Sequence, residues 1–243
     1  MAAPVPSAGE PAPPTLLLLV TGFSSFCGVE RNPTESLIEY LRNNPPKQGL
    51  GPQTQLELGV LRVAAAQARA WCDGVLRDAL RDGRRRVVAL HLGVDARAGP
   101  PVVALERRAV NECGFRCADE DGEILDQSIP CCSAPPLGGS LETQLDVEAL
   151  AAALRRRRDQ RLGGAAAPSY DVSVSEDAGR FLCNYVYARS LDECRRAAAE
   201  QEGGGGGCAH ALFVHVPPFE VMPEEAQREA VVDLILELAG MVS

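Results

Sequence analysis

The sequence predicts an α/β fold, a single-domain three-layer sandwich whose mixed, largely parallel central sheet is flanked by helices. Short aliphatic runs alternate with amphipathic stretches along the chain, which is the pattern of strands and helices layered on one sheet. A length of 243 residues is enough for one such domain with a full core. We therefore expect residues 15–243 to form the domain, after a disordered Pro- and Ala-rich tail over residues 1–14.

The predicted strands are short apolar runs, too short to be amphipathic helices. They are Leu16–Thr21, Leu56–Val63, Val87–Gly93, Tyr170–Ser175 and Ala211–Val216.

The predicted helices lie between these runs. The first follows Asn32, which can cap it, while Pro33 suits the first helical position and Glu35 the first turn. The others cover Ala65–Arg81, Val147–Arg161, the residues from Cys183 onward and the residues from Pro223 onward. In the last helix, apolar residues recur at helical spacing, which indicates packing.

Two segments interrupt the regular alternation of strands and helices. Glu202–Gly207 contains five glycines and predicts a flexible insertion whose shortening leaves activity intact. Residues 112–139 mix acidic residues, cysteines and prolines and predict an irregular loop.

The cysteines of this loop raise the question of a metal site. Cys113 and Cys117 are separated by three residues, and Cys131 and Cys132 are adjacent. This spacing lacks the repeated C-x2-C of zinc knuckles, so reduced thiols in a surface loop are favoured over a zinc site. A disulfide is open, but the sequence does not choose its pairing.

Charge and hydropathy exclude several classes of partner. A net charge of −9 argues against nucleic-acid binding, and the clusters Arg84–Arg86 and Arg155–Arg158 fit solvated ends of elements. The longest aliphatic run, Leu16–Val20, is far too short to span a bilayer. Nine cysteines without a recognisable secretion signal favour reduced thiols and a cytoplasmic protein.

A cysteine and a histidine are the candidate reactive pair. Cys183 ends the stretch SEDAGRFLC, after a turn and at the start of a predicted helix, where the helix dipole favours a thiolate. His215 ends a predicted strand before two prolines, so its ring is directed to a loop region. Of the other histidines, His91 is expected to be a satisfied core residue and His210 to lie in a loop without a role.

A carboxylate that orients the histidine would complete the usual set for thiol hydrolysis. Glu106 follows the apolar residues Val102, Val103 and Leu105, so a strand would deliver it into or beside the core. A surface carboxylate is the equally weighted alternative.

Four motifs in order give the chain a family resemblance. They are LLVTGFSSFCGVERNPT at 17–34, ALERRAVNECGFR at 104–116, VSVSEDAGRFLCNYVYARSL at 172–191 and FVHVPP at 213–218. With these motifs the chain resembles pyroglutamyl-peptidase I, a family of cysteine peptidases that remove an N-terminal pyroglutamate without a metal or cofactor. The resemblance implies pyroglutamyl peptides as substrates and leaves the oligomeric state open.

The resemblance also implies roles for individual residues. Cys183 would be the nucleophile, His215 the general base and Glu106 the carboxylate that orients it, with Arg116 as electrostatic support. The pocket for the lactam ring would have Phe23, Phe26 and Phe181 as walls, with Asn32 fixing the shape of the loop.

Two stretches depart from the family pattern. Ser25-Phe26-Cys27-Gly28 stands where members usually read Pro-Phe-Gly, so the pocket loop lacks the restraint of proline. Gly93–Arg97 replaces a bacterial Gly-Gln-Ala-Gly-Gly stretch, so a glutamine that borders the pocket is absent. The alternative functions are accordingly a binding protein with weak or altered activity and a cysteine-rich metal protein.

Overall fold

Strands and helices alternate around one central sheet in the computed structural model of the chain. The structure describes residues 16–26, 28–29, 31–46, 48–81, 83, 85–95, 100–162, 170–200 and 208–242. The predicted N-terminal tail, the glycine-rich insertion and Cys27 lie outside these residues.

The central sheet has six strands in the order β2-β1-β3-β8-β4-β7. All neighbouring strands are parallel except β4 and β8, which are antiparallel. A second, two-stranded antiparallel sheet joins β5 and β6. The strands are β1 Leu16–Phe23, β2 Thr54–Leu61, β3 Arg86–Val94, β4 Val102–Glu106, β5 Arg108–Val110, β6 Ser140–Glu142, β7 Asp171–Ser175 and β8 Ala209–Val216.

Helices cover both faces of the sheet. The helices are α1 Pro33–Asn43, α2 Ala65–Trp71, α3 Arg77–Arg81, α4 Val147–Leu162, α5 Leu182–Glu200 and α6 Glu224–Val242. A π-helical turn over Cys72–Leu76 joins α2 to α3. Buried residues of α1, α4 and α6 form one core layer, and those of α2, α3 and α5 form the other. The predicted three-layer α/β fold with a mixed, largely parallel sheet is confirmed.

The central strands owe their apolar runs to burial on both faces. Along β1, Leu16, Leu18 and Val20 belong to the layer of α1, α4 and α6, whereas Leu17 and Leu19 belong to the layer of α5. This alternation follows from the two-residue period of a strand. It directs the side chains of His91, Phe213 and His215 together toward one layer.

The observed elements correct the sequence expectations in three places. The predicted strand Leu56–Val63 is found at Thr54–Leu61. His210 lies in β8 and not in a loop, because β8 begins at Ala209, which is paired with Val87 of β3. The predicted helix over Ala65–Arg81 is continuous but contains the π-helical turn.

Residues 112–139 contain no helix or strand and consist of coil, turns and bends, as predicted. Within the described ranges, none of the helices combines the length and apolarity needed to cross a membrane.

Strand β1 and helix α1 approach each other closely at Gly22, which has no side chain. A Cβ added at Gly22 would lie 2.6 Å from the carbonyl oxygen of Thr34 and 2.9 Å from its carbonyl carbon. These are backbone atoms, so the strand and the helix would have to separate.

We therefore expect Gly22→Ala to lower the free energy of unfolding by about 1–3 kcal/mol, the usual cost of overpacking. Gly59→Ala on the neighbouring strand is the control, because its Cβ would meet only Thr21 Cγ2 at 3.7 Å. Urea denaturation of both variants measures the difference, and equal stabilities would contradict the close approach.

Candidate active site

A buried carboxylate and an imidazole form the centre of the candidate site. Nδ1 of His215 lies 2.7 Å from Oε1 of Glu106, and the two side chains are 7% and 1% exposed. The register of β4 and β8 explains the contact: Glu106 is paired with Phe213 and Ala104 with His215, so Glu106 and His215 are diagonal neighbours on one face. The sequence is equally compatible with Glu106 at the surface and in the core, and the structure places it in the core.

Cys183 approaches the same imidazole from helix α5. Cys183 is the second residue of the helix, and its half-buried thiol lies next to the imidazole of His215. The first backbone N–H groups of a helix have no partner within the helix, so this end carries a partial positive charge. That end of the helix faces the thiol of Cys183.

His215 is strongly influenced by its two neighbours. Burial lowers the pKa of the imidazole, but Cys183 and Glu106 outweigh it through their negative charge and hydrogen bonds and raise that pKa to about 10. The imidazole can therefore hold a proton at neutral pH between Cys183 and Glu106.

Strand β3 leaves room for the thiol beneath helix α5. A Cβ added at Gly93 would lie 3.1 Å from Cys183 Sγ and 2.5 Å from Cζ of Phe213. Only a glycine at the end of β3 allows the nucleophile candidate and Phe213 to lie this close to the sheet.

A cavity of about 200 Å³ opens above Cys183 and His215. All the predicted pocket residues line it, while Glu106 lies behind His215, away from the cavity. Its lining includes Phe23, Phe26, Asn32, Arg116, Phe181, Cys183 and His215.

The aromatic side chains pack against one another at the cavity wall. The rings of Phe26 and Phe181 are stacked with centroids 6.1 Å apart, and Phe115 meets Phe181 edge-on at 4.8 Å. Such arrangements are favourable for aromatic pairs and hold the rings in place. The cavity thus has an apolar, pre-formed side.

The loop that carries Phe26 is held by hydrogen bonds where proline is missing. Asn32 donates from Nδ2 to the carbonyl of Ser24 at 3.0 Å and accepts the N–H of Thr34 at Oδ1, which caps α1 as predicted. Phe26 and Val29 exchange two backbone hydrogen bonds of 3.2 and 2.7 Å. Backbone contacts therefore restrain this loop.

Two guanidinium groups border the cavity with different surroundings. Arg180 pairs with Asp177 at 2.7 Å and lies 3.7 Å from Glu112, which largely neutralises it. Arg116 is exposed and, within the described residues, has no ion pair. Arg116 therefore contributes a positive charge to the rim of the cavity, whose lining also includes the carboxylate of Asp95.

The remaining histidines lie away from the cavity. His91 is fully buried between the hydroxyls of Thr21, at 2.6 Å, and Ser190, at 2.9 Å, as expected for a satisfied core residue. Burial lowers the pKa of His91 to about 3, so it is neutral. His210 is half-buried on β8, and burial lowers its pKa as well.

The loop cysteines are free thiols. Cys113 and Cys131 are buried with their sulfur atoms 3.8 Å apart, and Cys117 and Cys132 are half-buried. Among the residues that the structure describes, no group of three or more His, Cys, Asp or Glu side chains is placed to hold a metal ion.

Several residues of the site were not singled out from the sequence. Gly93 was noted only as part of a divergent stretch, and Phe115 and Arg180 lay inside quoted motifs without a role. The signal for Gly93 is a glycine within an apolar strand, which often marks a close approach of another part of the chain. No local pattern distinguishes Phe115 from a core residue.

Comparison with known proteins decides the family, because residues 16–232 match the family described as Pyroglutamyl peptidase. The chain belongs to the pyroglutamyl peptidase family. The resemblance seen in the four motifs is thereby confirmed.

Relatives of this pyroglutamyl peptidase family member span nearly its full length. The chain is 28% identical over 200 residues to a pyrrolidone-carboxylate peptidase of Pyrococcus furiosus, and the matched region covers 82% of this chain and 80% of that protein. A pyrrolidone-carboxylate peptidase of Levilactobacillus brevis is 30% identical over 221 residues, with 90% and 89% coverage. The crystal structure of pyrrolidone carboxyl peptidase from Fervidobacterium islandicum superposes with a TM-score of 0.67 at 25% identity, covering 93% of this chain and 100% of that one.

The charge state of His215 is directly measurable, because the chain has three histidines. We expect NMR titration to show His215 protonated at neutral pH and losing its proton near pH 10, with His91 neutral throughout. Cys183→Ala should lower the pKa of His215, because it removes a negative neighbour. A wild-type His215 that titrates near 6.5 would contradict the geometry.

Proposed function

We propose that this protein is a cysteine-dependent omega-peptidase that hydrolyses the peptide bond after an N-terminal pyroglutamate. The observation that carries the proposal is the continuous contact from Glu106 through His215 to Cys183, at the floor of an apolar cavity. The names of the relatives support the same substrate class.

The proposed reaction begins with attack of the Cys183 thiolate on the pyroglutamyl carbonyl carbon. A carbon–sulfur bond forms, and the carbonyl electrons move to oxygen. The backbone N–H of Cys183, at the second position of helix α5, is a donor for this oxyanion. Arg116 at the rim adds positive charge near the same region.

Breakdown of this intermediate requires a proton on the leaving nitrogen. His215 holds that proton at neutral pH and donates it as the carbon–nitrogen bond breaks, leaving a thioester on Cys183. Neutral His215 then takes a proton from water, whose oxygen attacks the thioester and releases pyroglutamate. Glu106 keeps Nδ1 occupied, so Nε2 faces the reaction in both steps.

The cavity supports selection of a lactam over an ordinary N-terminus. The lactam ring is small and uncharged, and it suits the walls formed by Phe23, Phe26 and Phe181. An ammonium group would lose water among these rings, which costs several kcal/mol when it is unpaired. The phenylalanine walls therefore disfavour a free N-terminus, although the carboxylate of Asp95 also lines the cavity.

We expect Cys183→Ala and Cys183→Ser each to lower kcat for a pyroglutamyl chromogenic substrate by at least about 10³-fold, because nucleophiles of this kind act as a unit with their base. Cys208→Ser is the control, since Cys208 is an exposed thiol outside the cavity. It should retain wild-type activity. Normal hydrolysis by either Cys183 variant would refute the assignment.

The alternative is a family member that binds pyroglutamyl peptides with weak or altered turnover because its pocket loop has changed. Rates on pyroglutamyl, alanyl and prolyl substrates decide between the two. Hydrolysis of the pyroglutamyl substrate alone supports the peptidase, whereas a thiol that reacts with iodoacetamide without any turnover supports the binding protein.

A further inference from the structure

Helix α5 contributes more than the nucleophile to the proposed site. Tyr187, one turn beyond Cys183, is fully buried, and its hydroxyl donates to the backbone carbonyl of Glu106 at 2.8 Å. We propose that Tyr187 is a positioning residue that fixes the Glu106–His215 pair relative to Cys183. This inference rests on the proposed function.

A second side chain of the helix anchors the next part of the same segment. Asn184 is fully buried; its Oδ1 accepts the N–H of Val110 at 2.8 Å, and its Nδ2 donates to the carbonyls of Val110 and Glu112 at 2.8 and 3.0 Å. Tyr187 and Asn184 therefore hold the chain at Glu106 and again four to six residues later. The segment that they fix continues to Arg116 at the cavity.

Because a helix is rigid, the residues of α5 that contact the site keep fixed positions relative to one another. Cys183, Asn184 and Tyr187 lie within about 1.5 turns of one helix, so their spacing is fixed by backbone hydrogen bonds. The carboxylate reaches the nucleophile only through His215, on a different strand. Tyr187 provides the direct link from the nucleophile's helix to the carboxylate's strand.

The hydroxyl remains a donor at all relevant pH values. Burial and the nearby Glu106 carboxylate raise the pKa of Tyr187 well above its usual range, so the phenol stays neutral. Its contact with the Glu106 carbonyl is therefore independent of the charge of the thiol and imidazole.

Tyr187→Phe removes the hydroxyl and keeps the ring. Because a displacement of about 1 Å in a catalytic group costs up to about 10²-fold in rate, we expect kcat to fall by about 10- to 100-fold with little change in KM. The Glu106–His215 hydrogen bond should weaken, so the rate of Cys183 alkylation by iodoacetamide, followed against pH, should fall in the neutral range.

Tyr170→Phe is the matched control. Tyr170 is also a buried tyrosine, and its hydroxyl donates to Asp233 at 2.6 Å, but it lies in the opposite core layer. It should lose stability while keeping the wild-type kcat and alkylation profile. This separates positioning from a general loss of packing.

Three outcomes are informative. Reduced kcat with a shifted alkylation profile in Tyr187→Phe alone supports the inference, whereas wild-type kcat and profile in a folded Tyr187→Phe overturn it. If the wild-type protein does not hydrolyse pyroglutamyl substrates, the proposed function fails; a shift in alkylation specific to Tyr187→Phe then still supports the positioning of the thiol by this residue.

Discussion

The hydrogen bond between Glu106 and His215 is the interaction on which the rest of the site depends. Both groups are buried, and a buried charge is costly unless it is paired. Burial opposes protonation of the imidazole, but Cys183 and the carboxylate together raise its pKa. Glu106 Oε2 has no hydrogen-bond partner within the described residues, so the carboxylate is committed to His215 through its other oxygen.

The fold brings this pair together through one antiparallel contact in an otherwise parallel sheet. Because β4 runs against β8, Glu106 at the end of one strand is diagonal to His215 near the end of the other. The gap left at Gly93 on β3 then admits the thiol from helix α5. The backbone thus brings Glu106, His215 and Cys183 together at one point on the face of the sheet, from β4, β8 and α5 respectively.

Much of this arrangement could be predicted from local sequence, and the limits are physical. The apolar runs predict the central strands, and the Asn32-Pro33 cap predicts the start of α1, because both signals are local. The direction of β4 depends on its pairing partners, which no local pattern specifies. The same holds for His210, which joins β8 because Val87 is available for pairing. Motif order, rather than spacing, connected Glu106 with Cys183 and His215.

Trapping of a covalent intermediate would show whether Cys183 is the nucleophile. The wild-type protein would be mixed with a pyroglutamyl peptide, quenched in acid during turnover and digested for mass spectrometry. We expect a mass increase of one pyroglutamyl group on the peptide that contains Cys183 and on no other cysteine peptide. Substrate consumption without this adduct in rapid-quench samples, or an adduct on another residue, would contradict it.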